Sequence, residues 1–311
     1  MTKKILFAGT PEIAVPTLRA LCSNFDVVGV LTSVDKAVGR SSQLVPSPVK
    51  VAAIELGIPV LQYESLKTEA REAVSGLGAN ILVSFAYGKI FGPKFLRLFE
   101  GSYNIHPSAL PLMRGPSPIQ ETLLSGLKKC TISFQNLGEK MDEGEVWDTL
   151  EFDLSGKETD QSLNEIVGKK AGPFAVETLE NIFEENLVCK AQEGEVTYCK
   201  MIQKEDGVLD FTSTAFENHC RIRSFYPWPK AWTKVNGKDI AITGVWGGFE
   251  ELEDEPLLEN PICGKVMAFR KDRGLGIACS DKILWVTGLQ LPGKKELDYK
   301  AFVNGNRWIL E

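Results

Sequence analysis

Ile5-Leu6-Phe7-Ala8-Gly9-Thr10-Pro11-Glu12, followed after one helix length by Val27-Val28-Gly29-Val30-Leu31-Thr32, decides the fold of this chain. Both apolar runs are short and nearly uninterrupted, which suits strands covered on two faces. Thr10 is placed to cap a helix and Pro11 to occupy its first position, so a helix is predicted from there to about Ser23. A strand, a helix and a second strand in this order demand parallel pairing with a right-handed crossover. The rhythm continues outward. Ile58–Leu61 and Ile81–Ala86 read as further strands, with helices predicted near 48–56 and 68–75. Cys130–Gln135 alternates and reads as a strand, Asp142-Glu143-Gly144-Glu145 as a turn, and Val146–Phe152 as the strand that returns beside it. Leu163–Glu184 is a long amphipathic helix. The fold class is therefore α/β, with a mostly parallel sheet. The first turn carries one glycine, not Gly-x-Gly-x-x-Gly, so it is no dinucleotide fingerprint.

The pattern changes near Asn186. Residues 1–187 form the α/β domain, 188–207 read as a polar linker, and 208–311 carry short alternating strands. Asn236-Gly237, Asp272-Arg273-Gly274 and Ser280-Asp281 separate those strands as hairpin turns, and their spacing suggests a small β-barrel. The acidic stretch Glu250–Glu255 reads as a solvated loop. Two domains suit a length of 311 residues, and 43% hydrophobic with 24% charged residues is ordinary for globular protein. The net charge of −6 excludes a global basic signature for nucleic acid. Residues 208–311 balance 14 basic against 14 acidic residues, so the second half is the less acidic one. Arg221, Arg223, Lys230, Lys234 and Lys238 suggest a basic face there, since phosphate contacts dominate affinity for nucleic acid.

Seven cysteines, an odd number with no Cys-x-x-Cys pair, and two histidines permit no zinc-site spacing. Free thiols in a reducing cytoplasm are expected. The start of the sequence lacks the apolar region of a signal peptide, and no run approaches the roughly 18 apolar residues of a membrane span. A monomer with no membrane association and no metal is expected.

The chemistry is concentrated in Asn104-Ile105-His106-Pro107-Ser108-Ala109-Leu110-Pro111-Leu112-Met113-Arg114-Gly115-Pro116-Ser117-Pro118-Ile119-Gln120. Four prolines in these 17 positions exclude a continuous helix or a central strand through its middle. Asn104 and His106 lie two residues apart, so an extended backbone sends both side chains out of one face. An amide donor beside an imidazole suits a reaction in which an oxygen gains charge while a proton moves. A structural histidine beside a proline turn is the alternative. Cys130, the thiol nearest in sequence, reads as a strand residue. His219, on the helical pattern 216–222, reads as structural, and Tyr226-Pro227-Trp228-Pro229 reads as a hydrophobic plug.

Several blocks carry a family resemblance: Phe7-Ala8-Gly9-Thr10-Pro11, Gly39-Arg40, Pro46-Ser47-Pro48-Val49-Lys50, Ala86-Tyr87-Gly88, Asn104-Ile105-His106-Pro107-Ser108, Leu110-Pro111, Arg114-Gly115, Asp142 with Gly144, and Tyr226-Pro227-Trp228-Pro229. Their order is similar, over essentially the whole chain, to that of the methionyl-tRNA formyltransferase family. The Asn-x-His with a downstream Asp is shared by all folate-dependent formyltransferases. The long loop and the second half narrow the match to the tRNA-directed branch. The resemblance implies a Rossmann-like N-terminal domain, an OB-fold-like β-barrel C-terminal domain that binds tRNA, 10-formyl-tetrahydrofolate as formyl donor, and methionyl initiator tRNA as acceptor. It implies Asn104, His106 and Asp142 as catalytic residues. Ser108, Ala109, Leu110 and Pro111 would form the folate-contacting turn, with Tyr87 and Gly88 shaping the pocket. Arg40 would reach the tRNA acceptor stem from the loop Val34–Lys50, with Lys50, Arg221 and Arg223 as further tRNA contacts. That loop spans 17 residues where about two to six are usual, and its polar middle predicts disorder without tRNA. The sequence departs from the family in Ala109, where leucine is usual, in the absence of lysines after Arg40, and in Glu143 and Glu145 flanking Gly144. Rival readings keep the chemistry with a sugar-nucleotide amine or purine precursor as acceptor, or leave an RNA-binding OB module without activity. Intact Asn104, His106 and Asp142 speak against the last.

Overall fold

Uninterrupted apolar runs become the buried centre of a seven-stranded sheet. The computed structural model describes residues 3–37, 43–235 and 237–310. In chain order the first elements are β1 (Lys4–Gly9), α1 (Val15–Asn24), β2 (Asp26–Thr32), β3 (Lys36–Ala37), β4 (Leu44–Val45), α2 (Pro48–Glu55), β5 (Val60–Gln62), α3 (Thr68–Gly76) and β6 (Ile81–Phe85). They are followed by α4 (Pro93–Leu96), β7 (Gly101–His106), α5 (Pro118–Leu124), β8 (Lys129–Asn136), β9 (Val146–Asp153) and α6 (Asp160–Phe183). The sheet order is β5-β2-β1-β6-β7-β8-β9. Pairing is parallel from β5 through β7, and β8 runs antiparallel to β7. The chain builds outward from β1 to one edge, then returns to add β6 and β7 on the other side. The switch point between β1 and β6 is where α/β sheets open a crevice beyond their strand ends. Thr10 Oγ1 donates to the Tyr87 carbonyl at 3.0 Å and ties the two loops that leave this point.

Local differences from the sequence reading have physical causes. Thr10 does not cap α1: a short 3₁₀ turn, Glu12–Ala14, comes between them and the helix begins only at Val15, while the Thr10 hydroxyl donates to the Tyr87 carbonyl. The long loop after β2 is structured at its ends. β3 and β4 pair antiparallel, and Ser47 caps α2 by accepting from the Lys50 N–H at 3.1 Å. Arg40 lies outside the described residues.

The chain divides into two compact units. The first comprises the described residues through Pro118, Thr131–Glu151 and Asn164–Cys199; the second comprises Ile119–Cys130, Phe152–Leu163 and the chain from Lys200 onward. In the first, Ile5, Leu6, Phe7 and Ala8 are fully buried. Rings of Tyr87, Phe91, Phe95 and Phe99 follow one another at centroid distances of 5.2, 5.4 and 5.7 Å under the sheet. Residues 190–199, in the segment read as a linker, are tied to the first unit by bridges pairing Val146 with Lys190 and Arg114 with Tyr198.

The second unit contains α7 (Ala215–Ser224), β10 (Ala231–Val235), β11 (Lys238–Val245), α8 (Phe249–Glu253), β12 (Val266–Arg270), β13 (Gly274–Ala278), β14 (Ile283–Gln290), β15 (Leu297–Asp298) and α9 (Tyr299–Gly305). Its antiparallel sheet has the order β10-β11-β14-β13-β12, with β15 added on β14. The acidic stretch forms α8 instead of a loop. Thr214 and Glu217 cap α7 reciprocally, at 3.1 and 2.8 Å. Ile222 of α7 packs with Ile240, Ile242, Leu284 and Val286 of the sheet in one apolar core.

Among the described residues no helix is long and apolar enough to cross a membrane.

Candidate active site

Strand alternation assembles the site. Asn104 and His106 leave the same face of β7, and across the antiparallel ladder they pair with Gln135 and Ser133 of β8. Four polar side chains therefore share one patch at the end of the sheet. His106, Ser133 and Gln135 are buried there, and so each requires partners.

Asp142 enters from the turn between β8 and β9. Its Oδ1 accepts from Gln135 Nε2 at 2.9 Å, and its Oδ2 accepts from the Gly115 backbone N–H at 2.9 Å. His106 Nδ1 lies 3.6 Å from Oδ1, and Asn104 Nδ2 lies 3.5 Å from the same oxygen. Asp142 has φ of +55°, a conformation asparagine and aspartate tolerate better than most residues. Gly144 makes the turn possible: a Cβ there would sit 1.8 Å from the Asn136 carbonyl oxygen. The other ring nitrogen, His106 Nε2, is 2.9 Å from the Met113 carbonyl. A carbonyl only accepts, so Nε2 carries its proton, and Nδ1 is the atom left to exchange one on the Asp142 side.

The proline-rich stretch is pinned from beneath. Ser133 Oγ donates to the Ser108 carbonyl at 2.6 Å, and Ser108 Oγ donates to the Leu112 carbonyl at 2.7 Å. Ala109 is exposed while Pro111 is buried, and the Leu110–Pro111 peptide is cis. Thr197 closes the turn from the other side. Its hydroxyl accepts from the Met113 N–H at 2.8 Å, and its own N–H donates to the Pro111 carbonyl at 3.3 Å.

Arg114 is buried and donates to Gln192 Oε1 from Nε at 3.1 Å and from Nη2 at 2.7 Å. Its Nη1 lies 3.4 Å from Glu143 Oε1 and donates to Tyr198 Oη at 3.3 Å. Glu143 is thus held by Arg114 instead of facing His106. Gln192 Nε2 donates to the Asp142 and Gly144 carbonyls at 2.8 and 2.7 Å. Ser133 and Gln135 were missed as site residues, although the polar alternation along 130–135 was the available signal; their place beside Asn104 and His106 follows from the pairing of β8 with β7. Gln192 and Thr197 had no such signal, because nothing local pairs residues 192–197 with Asp142 or Met113.

The other sequence-derived positions separate. The Tyr87 ring is buried against Phe91, and burial pushes its phenol up to about 12; Gly88 is exposed beside it with φ of +83°. Cys130 is buried in β8 with its thiol likewise pushed up to about 12 by burial, which leaves it unreactive. Lys50 Nζ is held by Asp35 at 2.6 Å and by Gln62 at 2.8 Å. Its hydrogen bond holds the Asp35 carboxyl below the usual range. Arg221 donates to the Asp206 carbonyl at 2.6 Å and is partly exposed.

Arg223 is a correction. It is 3% exposed, and its guanidinium donates to His219 Nδ1 at 3.0 Å and to the Glu158 carbonyl at 2.9 Å, so it is a structural group and no surface contact for tRNA. Of the other residues in the suggested basic face, Lys234 and Lys238 are exposed and Lys230 is partly buried. Lys230 donates to Gln290, and Lys238 lies 4.2 Å from the Trp308 ring. Trp228 is 59% exposed, so the plug reading fails for that ring.

The gathering of Asn104, His106 and Asp142 at one strand end is the arrangement that the resemblance to formyltransferases implies. A family model described as formyl transferase matches residues 3–179, and one described as formyl transferase, C-terminal domain, matches residues 201–307. The chain is 37% identical over 320 residues to a methionyl-tRNA formyltransferase of Treponema denticola, covering 99% of this chain and 98% of that one. It is 32% identical over 308 residues to the methionyl-tRNA formyltransferase of Borreliella afzelii, covering 99% and 96%. The chain belongs to the methionyl-tRNA formyltransferase family. Among solved structures, the methionyl-tRNA formyltransferase from Clostridium thermocellum superposes with a TM-score of 0.54 at 16% identity, covering 78% of this chain and 93% of that one. A sugar 3N-formyl transferase solved with dTDP and 5-N-formyl-THF gives 0.65 at 18%, covering 95% and 100%. HypX from Aquifex aeolicus in complex with tetrahydrofolic acid gives 0.61 at 16%, covering 97% of this chain and 47% of that one. At these identities the structural likeness concerns the fold.

Proposed function

We propose that this protein transfers the formyl group of 10-formyl-tetrahydrofolate to the free amino group of methionyl initiator tRNA, producing N-formylmethionyl-tRNA for translation initiation. The observation that carries the reading is the convergence of Asn104, His106 and Asp142, with Asp142 Oδ1 within 3.6 Å of both other side chains. Family membership supports the donor and the acceptor. Residues 1–187 carry the chemistry in this reading, 188–207 connect, and 208–311 bind tRNA.

Attack of the amine on the formyl carbon places negative charge on the formyl oxygen. The Asn104 side chain is partly exposed, and its 3.5 Å approach to Asp142 is at the outer limit of a hydrogen bond, so an N–H can turn to that oxygen. Nδ1 of His106 exchanges the proton that the amine loses and the departing folate nitrogen gains. The Asp142 carboxylate takes the Gln135 and Gly115 donors at 2.9 Å; so anchored, it orients the imidazole and stabilises its charged form during transfer. In this reading the turn of Ser108, Ala109, Leu110 and Pro111 contacts the folate, with the exposed Ala109 offering its surface. Arg40 is the tRNA contact of the long loop, assisted by Arg221; Lys50 anchors the base of that loop through Asp35.

The test is formyl transfer from 10-formyl-tetrahydrofolate to charged initiator tRNA, run beside a dTDP-amino sugar and beside no acceptor. Formyl-methionyl-tRNA formation supports the reading. Transfer to the sugar alone, or no transfer, refutes it.

A further inference from the structure

We propose that Gln192 is a positioning residue for formyl transfer, holding the Asp142 turn in register with His106 from a strand-like strap outside the sheet. The proposal rests on the assignment of Asp142 and His106 to the reaction. Its basis is geometric. One amide group spans three elements: Nε2 donates to the carbonyls of Asp142 and Gly144, at 2.8 and 2.7 Å, while Oε1 accepts twice from Arg114. Arg114 in turn belongs to the stretch whose next residue, Gly115, gives its N–H to Asp142 Oδ2 at 2.9 Å. Backbone and side chain of Asp142 are thus both held by residues 114–115 and the strap that pairs with them.

The turn needs this support. Asp142 stands at φ of +55°, a left-handed conformation that residues with a Cβ rarely adopt. Among the described contacts of the Asp142 and Gly144 carbonyls, Gln192 supplies both donors. The guanidinium fixes which end of the amide faces the turn, because Arg has donors only and so requires the Gln192 oxygen. The strap itself is registered by the bridge of Arg114 with Tyr198 and by the Cys199 N–H bond to the Arg114 carbonyl at 2.8 Å. Loss of the Gln192 amide leaves two carbonyls and a buried guanidinium without these partners and lets the turn shift. A shift of about 1 Å in a reacting constellation costs on the order of 10²-fold in rate.

Gln192→Leu removes the amide at nearly constant volume. Single-turnover formyl transfer to methionyl initiator tRNA, with KM for tRNA and for 10-formyl-tetrahydrofolate, is measured in wild type, Gln192→Leu, Asp142→Ala and the double variant. The expected result is a rate lower by about 10- to 100-fold with both KM values within about twofold, and no further loss when Gln192→Leu is added to Asp142→Ala. Equal loss in both backgrounds overturns the proposal, as does an unchanged rate. Gln192→Asn keeps the polarity but withdraws the amide by one methylene. It is read in the same cycle and decides the matter if the leucine variant does not fold. Absence of formyl transfer in wild type would refute the proposed function instead, so the two failures are distinguishable.

Discussion

Acidification should destabilise the second unit through one buried imidazole, by an amount the structure sets. His219 is fully buried; Nε2 donates to the Gly247 carbonyl at 3.2 Å, and Nδ1 accepts from Arg223 Nε at 3.0 Å. A proton on Nδ1 would face an arginine donor. Burial first, and then the Arg223 charge, bring the pKa down from 6.5 to about 3. The unfolded chain takes up a proton near 6.5 while the folded chain does not, so stability is full above that pH and falls as pH drops from 6.5 toward 3. Integration gives a loss of about 1.4 kcal/mol at pH 5.5 and about 2 kcal/mol at pH 5. The depressed carboxyls of the second unit, Glu158, Asp206, Asp210, Glu217, Glu251, Glu253 and Asp272, act through unfolded values near 4, so the histidine dominates the range from pH 7.5 to about 5.5. Glutamine supplies an N–H for Gly247 and an oxygen for Arg223 without titrating. Urea unfolding, followed by the fluorescence of Trp232, Trp246, Trp285 and Trp308, should show the loss in wild type and a flat profile in His219→Gln. Equal pH dependence in the two proteins, or none in wild type, would refute the reasoning.

Three further outcomes are expected. His106→Ala and Asp142→Ala should each slow single-turnover transfer by about 10²-fold or more, the ordinary scale for loss of an acid–base group or its orienting partner; near-normal turnover in folded protein sinks the assignment. Gly144→Ala should cost about 10²-fold, since its Cβ would lie 1.8 Å from the Asn136 carbonyl and must displace the Asp142 turn; activity within a few fold of wild type would show that the turn tolerates the shift. Arg40→Ala, outside the described residues, should weaken tRNA binding and flatten its log–log salt dependence by roughly one unit, with folate binding unchanged; an identical slope across a salt series removes Arg40 from the phosphate contacts.

The sequence by itself determined the sheet and half of the site. Runs such as Ile5–Ala8 and Ile81–Phe85 are apolar on both faces, which leaves them no place but the middle of a covered parallel sheet. The two-residue spacing of Asn104 and His106 is a local property of extended chain, so their common face could be read directly. Asp142 was reached through resemblance, since it lies far along the chain from His106 and no periodicity links them. Tertiary structure decided the rest. Arg223 looks like a surface cation until helix α7 turns it toward His219 and the Glu158 carbonyl. Gln192 and Thr197 lie in a segment with no regular pattern, and gain their roles because the chain returns along Arg114 and bonds there. Local spacing governs what one strand presents; long-range closure governs which distant polar groups must satisfy one another once water is removed.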